Sequence, residues 1–366
     1  MNRRDWLRKA GLGAAGLALT ACGEAEKSST AVQTQKKIRW RLVSSFPRSL
    51  DTLFGSAEVL AEKVKEMSGG NFQITVYPAG ELSGALEVLD SVQQGSAHVG
   101  HTASYYYIGK NPALAFECCV PFGMTSRQQT AWLHQGGGLE LTRKLFADFN
   151  IINFPAGNTG VQMGGWFKKE INSLNDMQGL KMRIPGIGGK VMANMGVAVQ
   201  TLAGGEIYMA LERGAIDATE WVGPYDDEKL GFHKIARFYY YPGWWEPGPS
   251  LSFYVNDKEW AKLPSEYRAI FTAAAKEAEI TMQAQYDTEN PKALQRLLEG
   301  GIQTRPFSED ILNKAHETAL QLYEETAASD PEYKKVYEEW KKAKSASFRW
   351  FGAAESLYAQ FTFPKG

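Results

Sequence analysis

Motifs for the common catalytic chemistries are missing from this 366-residue sequence. It contains neither a GxSxG nucleophile elbow nor an HExxH zinc motif. Only five histidines are present, and His98 and His101 fall in a predicted strand where their spacing places them on opposite faces, which argues against a histidine-based metal site. A chain of this length without such motifs is more typical of a binding protein than of an enzyme, so we expect no catalytic residues.

The sequence also has few cysteines and a small net charge. Of the three cysteines, Cys118 and Cys119 are adjacent and do not form an ordinary disulfide, so no disulfide framework is expected. The sequence has no basic cluster interleaved with aromatic residues, which argues against nucleic-acid binding. Residues 1–21 hold four basic residues and one acidic residue, so removing them changes the formal net charge from −1 to −4.

The first 22 residues have the features of an export signal. Arg3 and Arg4 lie in NRRDWLR, which is typical of the twin-arginine route. The apolar run over residues 10–21 is shorter than the roughly 20 residues that a membrane-spanning helix needs. It ends in LTAC, which resembles a bacterial lipobox whose cysteine, Cys22, is acylated. We therefore predict a signal peptide over 1–21, a flexible tether over 22–37, and a periplasmic protein tethered to the membrane by lipid.

The rest of the chain alternates between predicted strands and helices. Residues 38–46 and 72–78 have strand-like alternation, with helical spacing of apolar residues between them. This βαβαβ start predicts a parallel sheet in an α/β lobe. Residues 158–246 are richer in glycine and proline and have short elements of their own. We expect a first lobe at 38–157, a second lobe at 158–246, and a return to the first lobe at 247–330.

Long helices are predicted in the last third of the chain. Residues 256–299 have helical periodicity with an interruption at Asn290–Pro291, since proline removes a backbone donor from a helix. The C-terminal segment 331–366 is also helical, and its aromatic side chains over 331–361 share one face, which indicates core packing or a dimer contact. Two lobes around a cleft are typical of proteins that close on a ligand, although many enzymes share this layout.

Polar side chains concentrate at predicted strand ends in the second lobe. Arg183 ends an otherwise apolar strand, and its planar guanidinium matches a carboxylate in bidentate fashion. Gln162, Glu220 and Glu246 supply the oxygen ligands that hard cations such as Na⁺ or Ca²⁺ prefer. The alternative is an Arg183–Glu220 ion pair that connects two strands.

Four motifs give the chain a resemblance to a known family. They are LKMRIPG, the segment GAIDATEWVGPYDDEKLGFHKIA at 214–236, which we predict to be helical, YYPGWWEPGP, and GNTGVQMGGW at 157–166. The sequence resembles the solute receptors of tripartite ATP-independent periplasmic (TRAP) transporters, in particular the branch that binds 2-oxoacids such as pyruvate, or lactate, together with a metal ion. The resemblance implies a two-lobed periplasmic-binding-protein fold with a central cleft, a long bridging helix and a helical C-terminal tail.

The resemblance also implies roles for individual residues. Arg183 would pair with the ligand carboxylate, and Gln162 would touch both ligand and cation. The register of the tyrosines in SYYYIGKNP is left open. The implied ligand contacts are Arg183, Gln162, Asn158 and Tyr107, and the implied cation contacts are Gln162, Glu220, the Trp221 carbonyl and Glu246.

Partners follow from the same resemblance. They are a small monocarboxylate, the TRAP membrane permease and a second copy of the chain, paired through a C-terminal helix that can exchange between subunits. Two other functions remain open at this point, an exported metal-assisted enzyme acting on oxoacids and a ligand-sensing module of a signalling system. The sequence is compatible with Na⁺ or Ca²⁺ and with pyruvate, longer oxoacids or lactate.

Overall fold

The structure, a computed structural model, describes residues 36–363. The predicted twin-arginine pair (Arg3 and Arg4) and the predicted lipidation site Cys22 lie outside the described residues. The strands are β1 Ile38–Ser44, β2 Phe72–Tyr77, β3 Val99–Thr102, β4 Ile151–Asn158, β5 Trp166–Phe167, β6 Lys181–Arg183, β7 Ala198–Gln200, β8 Ala218–Thr219, β9 Phe238–Tyr241, β10 Ser250–Asn256 and β11 Gln303–Pro306.

Helices connect and cover these strands. They are α1 Leu53–Met67, α2 Val88–Gln93, α3 Ala115–Cys118, α4 Ser126–Gln135, α5 Gly138–Ala147, α6 Gly186–Asn194, α7 Gly204–Glu212, α8 Pro224–Leu230, α9 Asp257–Ala261, α10 Ser265–Glu299, α11 Glu309–Ser329, α12 Pro331–Phe351 and α13 Leu357–Thr362. Within residues 36–363, no helix combines the length and the hydropathy of a membrane-spanning segment.

The first sheet has the order β2-β1-β3-β10-β4. Strand β1 pairs in parallel with β2 and β3, as the βαβαβ pattern predicts, whereas β10 runs antiparallel to β3 and β4. Helix α1 joins β1 to β2 and buries Leu53, Phe54 and Leu60, which recur at helical spacing and so share one face.

The second sheet has the order β11-β9-β5-β8-β6-β7. The chain passes from the first sheet to the second after β4 and returns between β9 and β10, so two connecting segments, 159–165 and 242–249, lie between the sheets. Strand β10 belongs to the first sheet and β11 to the second. The α/β architecture with two sheets is confirmed, and the lobe boundaries at 157 and 246 stay predictions.

The predicted interruption of the helix at Asn290–Pro291 is wrong. Helix α10 has 35 residues and continues through Pro291. Its first part packs against α1 and β4, and it also packs against α8. Ala293 and Leu297 are buried beyond the proline, so packing compensates for the lost backbone hydrogen bond. The prediction of a helix over 214–236 is also wrong, since this segment contains strand β8, the short helix α8 and a 3₁₀ helix at Phe232–Lys234.

The C-terminal aromatic stripe is divided between the core and the surface. Tyr333, Tyr337 and Trp340 are buried, and all three rings lie 5.1–6.1 Å from the ring of Phe116. Farther along the tail the side chains are exposed: Phe348 by 42%, Trp350 by 66%, Leu357 by 60%, Tyr358 by 68%, Phe361 by 90% and Phe363 by 68%.

Candidate functional site

A small cavity of about 10 Å³ lies between the two sheets, and we call it the central cavity. That volume is about the space needed for one water molecule. The first sheet and its loops supply apolar and tyrosine walls, and the second sheet with the segment 159–165 supplies most of the polar groups. The lining residues are Phe46, Leu53, Tyr105, Tyr106, Thr159, Gln162, Arg183, Trp221, Val222 and Leu251.

Arg183 is the last residue of β6 and is 1% exposed. Its Nε donates to the Leu202 carbonyl at 3.1 Å, and Nη1 forms an ion pair with the Glu220 carboxylate. Burial opposes the guanidinium charge, but the Glu220 carboxylate offsets this and the pKa of Arg183 is raised. The strand-connecting ion pair that the sequence left as an alternative is therefore present, although Arg183 Nη2 has no partner.

Glu220 and Glu246 place two carboxyl groups near this one guanidinium. Both are buried, with exposures of 1% and 4%. Burial raises the pKa of each carboxyl, and Glu220 raises that of Glu246 further by repulsion. The Tyr105 hydroxyl donates to Glu246 Oε2 at 3.4 Å, whereas Glu220 Oε2 has no partner. If both carboxyls are ionised, Arg183 neutralises one of them, so a bound cation would stabilise the second.

The segment 159–165 contributes an amide group. Gln162 is 4% exposed, and its Nε2 donates to the Thr159 hydroxyl at 3.3 Å while its Oε1 has no partner. Asn158, at the end of β4, does not line the cavity. Its Nδ2 donates to the Gly248 carbonyl at 2.9 Å and its Oδ1 accepts from Gly160 N at 2.9 Å. Asn158 thus connects the two segments that pass between the sheets.

The buried side chains of Gln162, Arg183, Glu220 and Trp221 each have one polar atom without a hydrogen-bond partner. Two are acceptors, Gln162 Oε1 and Glu220 Oε2, and two are donors, Arg183 Nη2 and Trp221 Nε1. An unsatisfied buried polar group costs about 1–3 kcal/mol, so this combination indicates a site prepared for missing partners. The oxygens suit a hard cation and the donors suit an anionic ligand, which is the chemistry that the sequence predicted.

Protein side chains alone do not complete a metal site here. Among residues 36–363, no group of three or more His, Cys, Asp or Glu side chains is placed to hold a metal ion. Amide and carbonyl oxygens therefore have to contribute, and the ligand itself is a further source of oxygen. Gln162 and Glu220 fit this requirement, since each has one free buried oxygen.

The tyrosines need a correction. Tyr107 was predicted to contact the ligand, but its hydroxyl lies 2.9 Å from Thr102 Oγ1 and accepts from Leu89 N at 3.3 Å, away from the central cavity. Tyr105 and Tyr106 line the cavity instead. All three lie in the 3₁₀ turn Ser104–Tyr107, where successive side chains point about 120° apart, so adjacent tyrosines face different surroundings.

Trp221 lies beside the guanidinium. Arg183 Cζ is 5.1 Å from the centroid of the indole, a distance at which the charge and the ring attract each other. The indole lines the cavity, whereas the sequence prediction concerned the Trp221 backbone carbonyl as a cation ligand. That carbonyl role stays a prediction, as do the ligand roles of Arg183, Gln162, Glu220 and Glu246.

Comparisons with known proteins identify the family. The family model described as bacterial extracellular solute-binding protein, family 7, matches residues 43–330. A monocarboxylate 2-oxoacid-binding periplasmic protein of Nostoc sp. (strain PCC 7120) is 54% identical over 361 residues, covering 99% of each chain.

Solved structures are similar over most of the chain. A TRAP transporter solute-binding protein of Bordetella bronchiseptica, with calcium and picolinate, is 45% identical with a TM-score of 0.88, covering 90% of this chain and 98% of its own. One from Colwellia psychrerythraea, with calcium and pyruvate, is 40% identical with a TM-score of 0.86, covering 89% and 99%. One from Pseudoalteromonas atlantica, with sodium and pyruvate, is 40% identical with a TM-score of 0.87, covering 90% and 100%.

Proposed function

This chain belongs to family 7 of the bacterial extracellular solute-binding proteins, and we propose that it binds a small 2-oxoacid such as pyruvate together with Na⁺ or Ca²⁺ in the central cavity. The receptor then delivers the ligand to a TRAP-type membrane permease. Relatives at 40% identity hold pyruvate with calcium or sodium, which supports both parts of the proposal.

The observation that carries the proposal is the set of free buried atoms. Arg183 Nη2 and Trp221 Nε1 are donors available to a carboxylate and a keto oxygen, and Gln162 Oε1 and Glu220 Oε2 are acceptors available to a cation. An anion and a cation that bind together give all four atoms a partner, which removes the free-energy cost of leaving them unsatisfied, and they keep the buried charges balanced. Glu246 serves as a further cation ligand or as a close partner of the cation.

The lining residues favour a ligand with one carboxylate and a short side chain. Arg183 is the only Lys, Arg or His among them, so a second carboxylate would lack a cationic partner. Phe46, Leu53 and Val222 provide an apolar wall that accepts a methyl or ethyl group. Because the cavity has the space of about one water molecule, ligand entry requires the two sheets to move apart and close again.

Isothermal titration calorimetry tests the proposal directly. Protein from residue 23 onward, refolded to remove any co-purified ligand, is titrated with pyruvate, 2-oxobutyrate and lactate in Na⁺, in Ca²⁺ and with a chelator. We expect micromolar or tighter binding that requires a cation. Absence of heat with all three acids would reject the 2-oxoacid assignment and leave other ligands of the wider family.

A variant of Glu220 tests the cation site separately from the contacts to the acid. Glu220→Gln keeps the side-chain shape but removes the charge that attracts a cation, so we expect lower calcium content by mass spectrometry and weaker pyruvate binding. Glu212→Gln, an exposed acid of α7, is the matched control. Unchanged metal content in Glu220→Gln would remove this residue from the cation site.

No chemical step belongs to this proposal. Function is a shift of population between open and closed arrangements, after which the ligand passes unchanged to the permease. Incubation with pyruvate for hours should leave its amount unchanged by mass spectrometry. Measurable turnover would favour an enzyme instead.

The proposed location rests on the N-terminal motifs. Export by the twin-arginine route and acylation of Cys22 would hold the receptor at the membrane surface. Mass spectrometry of the membrane fraction should find a lipid-modified N-terminal cysteine, and Cys22→Ala should release the protein to the soluble periplasmic fraction. An unmodified protein in the soluble fraction would contradict the lipid anchor.

A homodimer through the C-terminal tail is also proposed. The exposed aromatic side chains of α12 and α13, among them Trp350 and Phe361, form an apolar surface that a second copy would cover. Light scattering should give a dimer for the native tail and a monomer for Trp350→Ser/Phe361→Ser. Ile280→Ser, which removes an equally exposed side chain on α10, should remain dimeric.

A further inference from the structure

Three residues make a polar contact across the cleft, and we call them the latch. Asp51 lies in the loop between β1 and α1, next to the first sheet. Tyr225 and Lys229 lie on α8, the helix that follows strand β8 of the second sheet. The Tyr225 hydroxyl donates to Asp51 Oδ2 at 3.0 Å, and Lys229 Nζ forms an ion pair with Asp51 Oδ1.

Lys229 has a second interaction inside the latch. Its Nζ is 3.5 Å from the centroid of the Tyr225 ring, so the ring face and the Asp51 carboxylate hold the ammonium group from two sides. Burial disfavours the charge of Lys229, but hydrogen bonds with Asp51 and Tyr225 outweigh it and raise the pKa of this amine. The side chain is 26% exposed, which leaves the ion pair accessible to salt.

Residues close in sequence to the latch line the central cavity from both sides. Leu53, two residues after Asp51, lines the cavity from the first-sheet side. Val222, three residues before Tyr225, lines it from the second-sheet side. Separating the sheets around the cavity therefore pulls Asp51 away from α8.

Helix α8 is held in place by hydrogen bonds to neighbouring elements, so Tyr225 and Lys229 of the latch have a fixed position. Asp226 accepts from the Tyr286 hydroxyl of α10 at 2.5 Å, and Tyr225 N donates to Asn290 Oδ1 at 3.0 Å. One turn farther, Arg296 binds Glu228 through Nε and Nη2. Asp227 of the same helix accepts from the Trp166 indole of β5 at 2.9 Å and from the Tyr239 hydroxyl of β9 at 2.7 Å, so α8 is attached to the second sheet as well as to α10.

We propose that the Asp51–Tyr225–Lys229 latch holds the cleft closed and sets the rate at which the ligand leaves. The inference rests on the proposed function, because it assigns the latch to ligand release. An exposed ion pair contributes little to folding, but here both partners separate when the cleft opens, so its full effect falls on the open–closed equilibrium. Removing it should accelerate release about three- to tenfold.

Stopped-flow fluorescence measures this rate. Pyruvate and Ca²⁺ are bound to the protein and released by dilution into chelator, with the tryptophan emission as the signal, since Trp221 lines the cavity. Asp51→Asn and Lys229→Met should each raise the dissociation rate about three- to tenfold with little change in the association rate. The double variant should match the single ones, because both break the same contact.

Three controls distinguish an effect on cleft closure from general effects of charge or stability. Glu58→Gln breaks the exposed Arg48–Glu58 pair, which is 2.7 Å long and lies wholly on the first-sheet side, and should leave release unchanged. Lys229→Arg keeps the cation and should restore most of the wild-type rate. Choline chloride at high concentration should accelerate release from the wild type and not from Lys229→Met. Equal release rates for wild type, Asp51→Asn and Lys229→Met would overturn the latch.

A second readout keeps this test separate from that of the proposed function. Spin labels at Glu62→Cys on α1 and Glu212→Cys on α7 report the distance between the two sides in ligand-free protein. The protein starts at residue 23 and so lacks Cys22, both labelled positions are exposed, and Cys118 and Cys119 are buried. Lys229→Met should shift the distribution to longer distances. If pyruvate does not bind at all but this shift occurs, the latch stands and the 2-oxoacid assignment fails; identical distributions would overturn the latch.

Discussion

Arg183 combines complete burial with one unused donor. Its Nε and Nη1 are occupied by Leu202 and Glu220, and only Nη2 is free. A ligand carboxylate that reaches Nη2 gains a charge-assisted hydrogen bond in a site with almost no water, where such bonds are strong. In the proposed site, the guanidinium would thus connect the ligand to the carboxylate of Glu220, the proposed cation ligand.

Arg183 variants should therefore lose affinity by large factors. Arg183→Ala should abolish measurable pyruvate binding, because truncating one partner of a buried charge pair costs about 2–5 kcal/mol. Arg183→Lys keeps a charge but loses the second donor, and we expect about a 10- to 100-fold weaker affinity by calorimetry. Arg213→Ala, which removes an exposed cation outside the cavity, should bind normally. Retained micromolar affinity in Arg183→Ala would contradict the assigned role, provided that circular dichroism shows a folded protein.

Glu117 is a buried acid that the proposed site does not use. It is 1% exposed, accepts from Asn153 Nδ2 at 2.5 Å and from the Tyr254 hydroxyl at 3.3 Å. Burial raises the pKa of this carboxyl to about 7, from an ordinary value of 4.5. The folded protein therefore retains a proton that the unfolded chain has already lost at pH 5 to 7.

This difference predicts a pH dependence of stability. Because the folded state binds more protons, the contribution of Glu117 is complete below pH 4.5 and is lost as the pH rises through about 7. Between pH 5 and pH 8, the free energy of unfolding of the wild type should fall by about 2–3 kcal/mol more than that of Glu117→Gln. Urea titrations at both pH values measure it. Parallel slopes in the two proteins would show that Glu117 does not titrate in this range.

At the scale of elements, helix α7 positions the indole of Trp221. A Cβ atom at Gly204, the first residue of α7, would lie 2.4 Å from Trp221 Cη2, so the ring packs directly on the glycine. Trp221 is 5% exposed and has little space to move. Close packing of this kind transmits a small change in the helix to the wall of the cavity.

Gly204→Ala should displace the indole and weaken pyruvate binding about tenfold, since overpacking costs about 1–3 kcal/mol. The neighbouring Gly205→Ala is a matched control, because its added Cβ meets no atom within 4 Å. Calorimetry on both variants gives the comparison. Equal affinities would show that the position of the indole does not matter for the ligand.

The sequence predicted the two-sheet α/β architecture, and two of its predicted polar site residues, Arg183 and Gln162, line the central cavity. Arg183 and Gln162 could be identified because each is a polar residue in an apolar or glycine-rich context, where an isolated polar side chain indicates function. The tyrosine register could not be predicted, because periodicity does not distinguish a 3₁₀ turn from the end of a strand. The continuity of α10 through Pro291 depends on tertiary packing of Ala293 and Leu297, which local propensity does not describe.

At the scale of the whole molecule, the chain passes twice between the sheets beside the site. The segments 159–165 and 242–249 contain Gln162 and Glu246 and are joined by hydrogen bonds of Asn158 and by a Gln162 N–Glu246 O contact of 3.2 Å. The same segments therefore connect the two sheets and supply residues of the proposed site. In the proposed function, closure and ligand contact would for this reason be parts of one process.

Ligand and cation should consequently stabilise the protein only in combination. Both bind the closed state, and at concentrations of about 100 times Kd a ligand adds about 2.7 kcal/mol to the free energy of unfolding. Scanning calorimetry should show a clear increase in Tm with pyruvate and Ca²⁺ together and a much smaller one with pyruvate in chelator. Because coupling between two binding sites is reciprocal, pyruvate should also tighten Ca²⁺ binding by the same factor. Independent, additive increases in Tm would show that the acid and the cation do not share the central cavity.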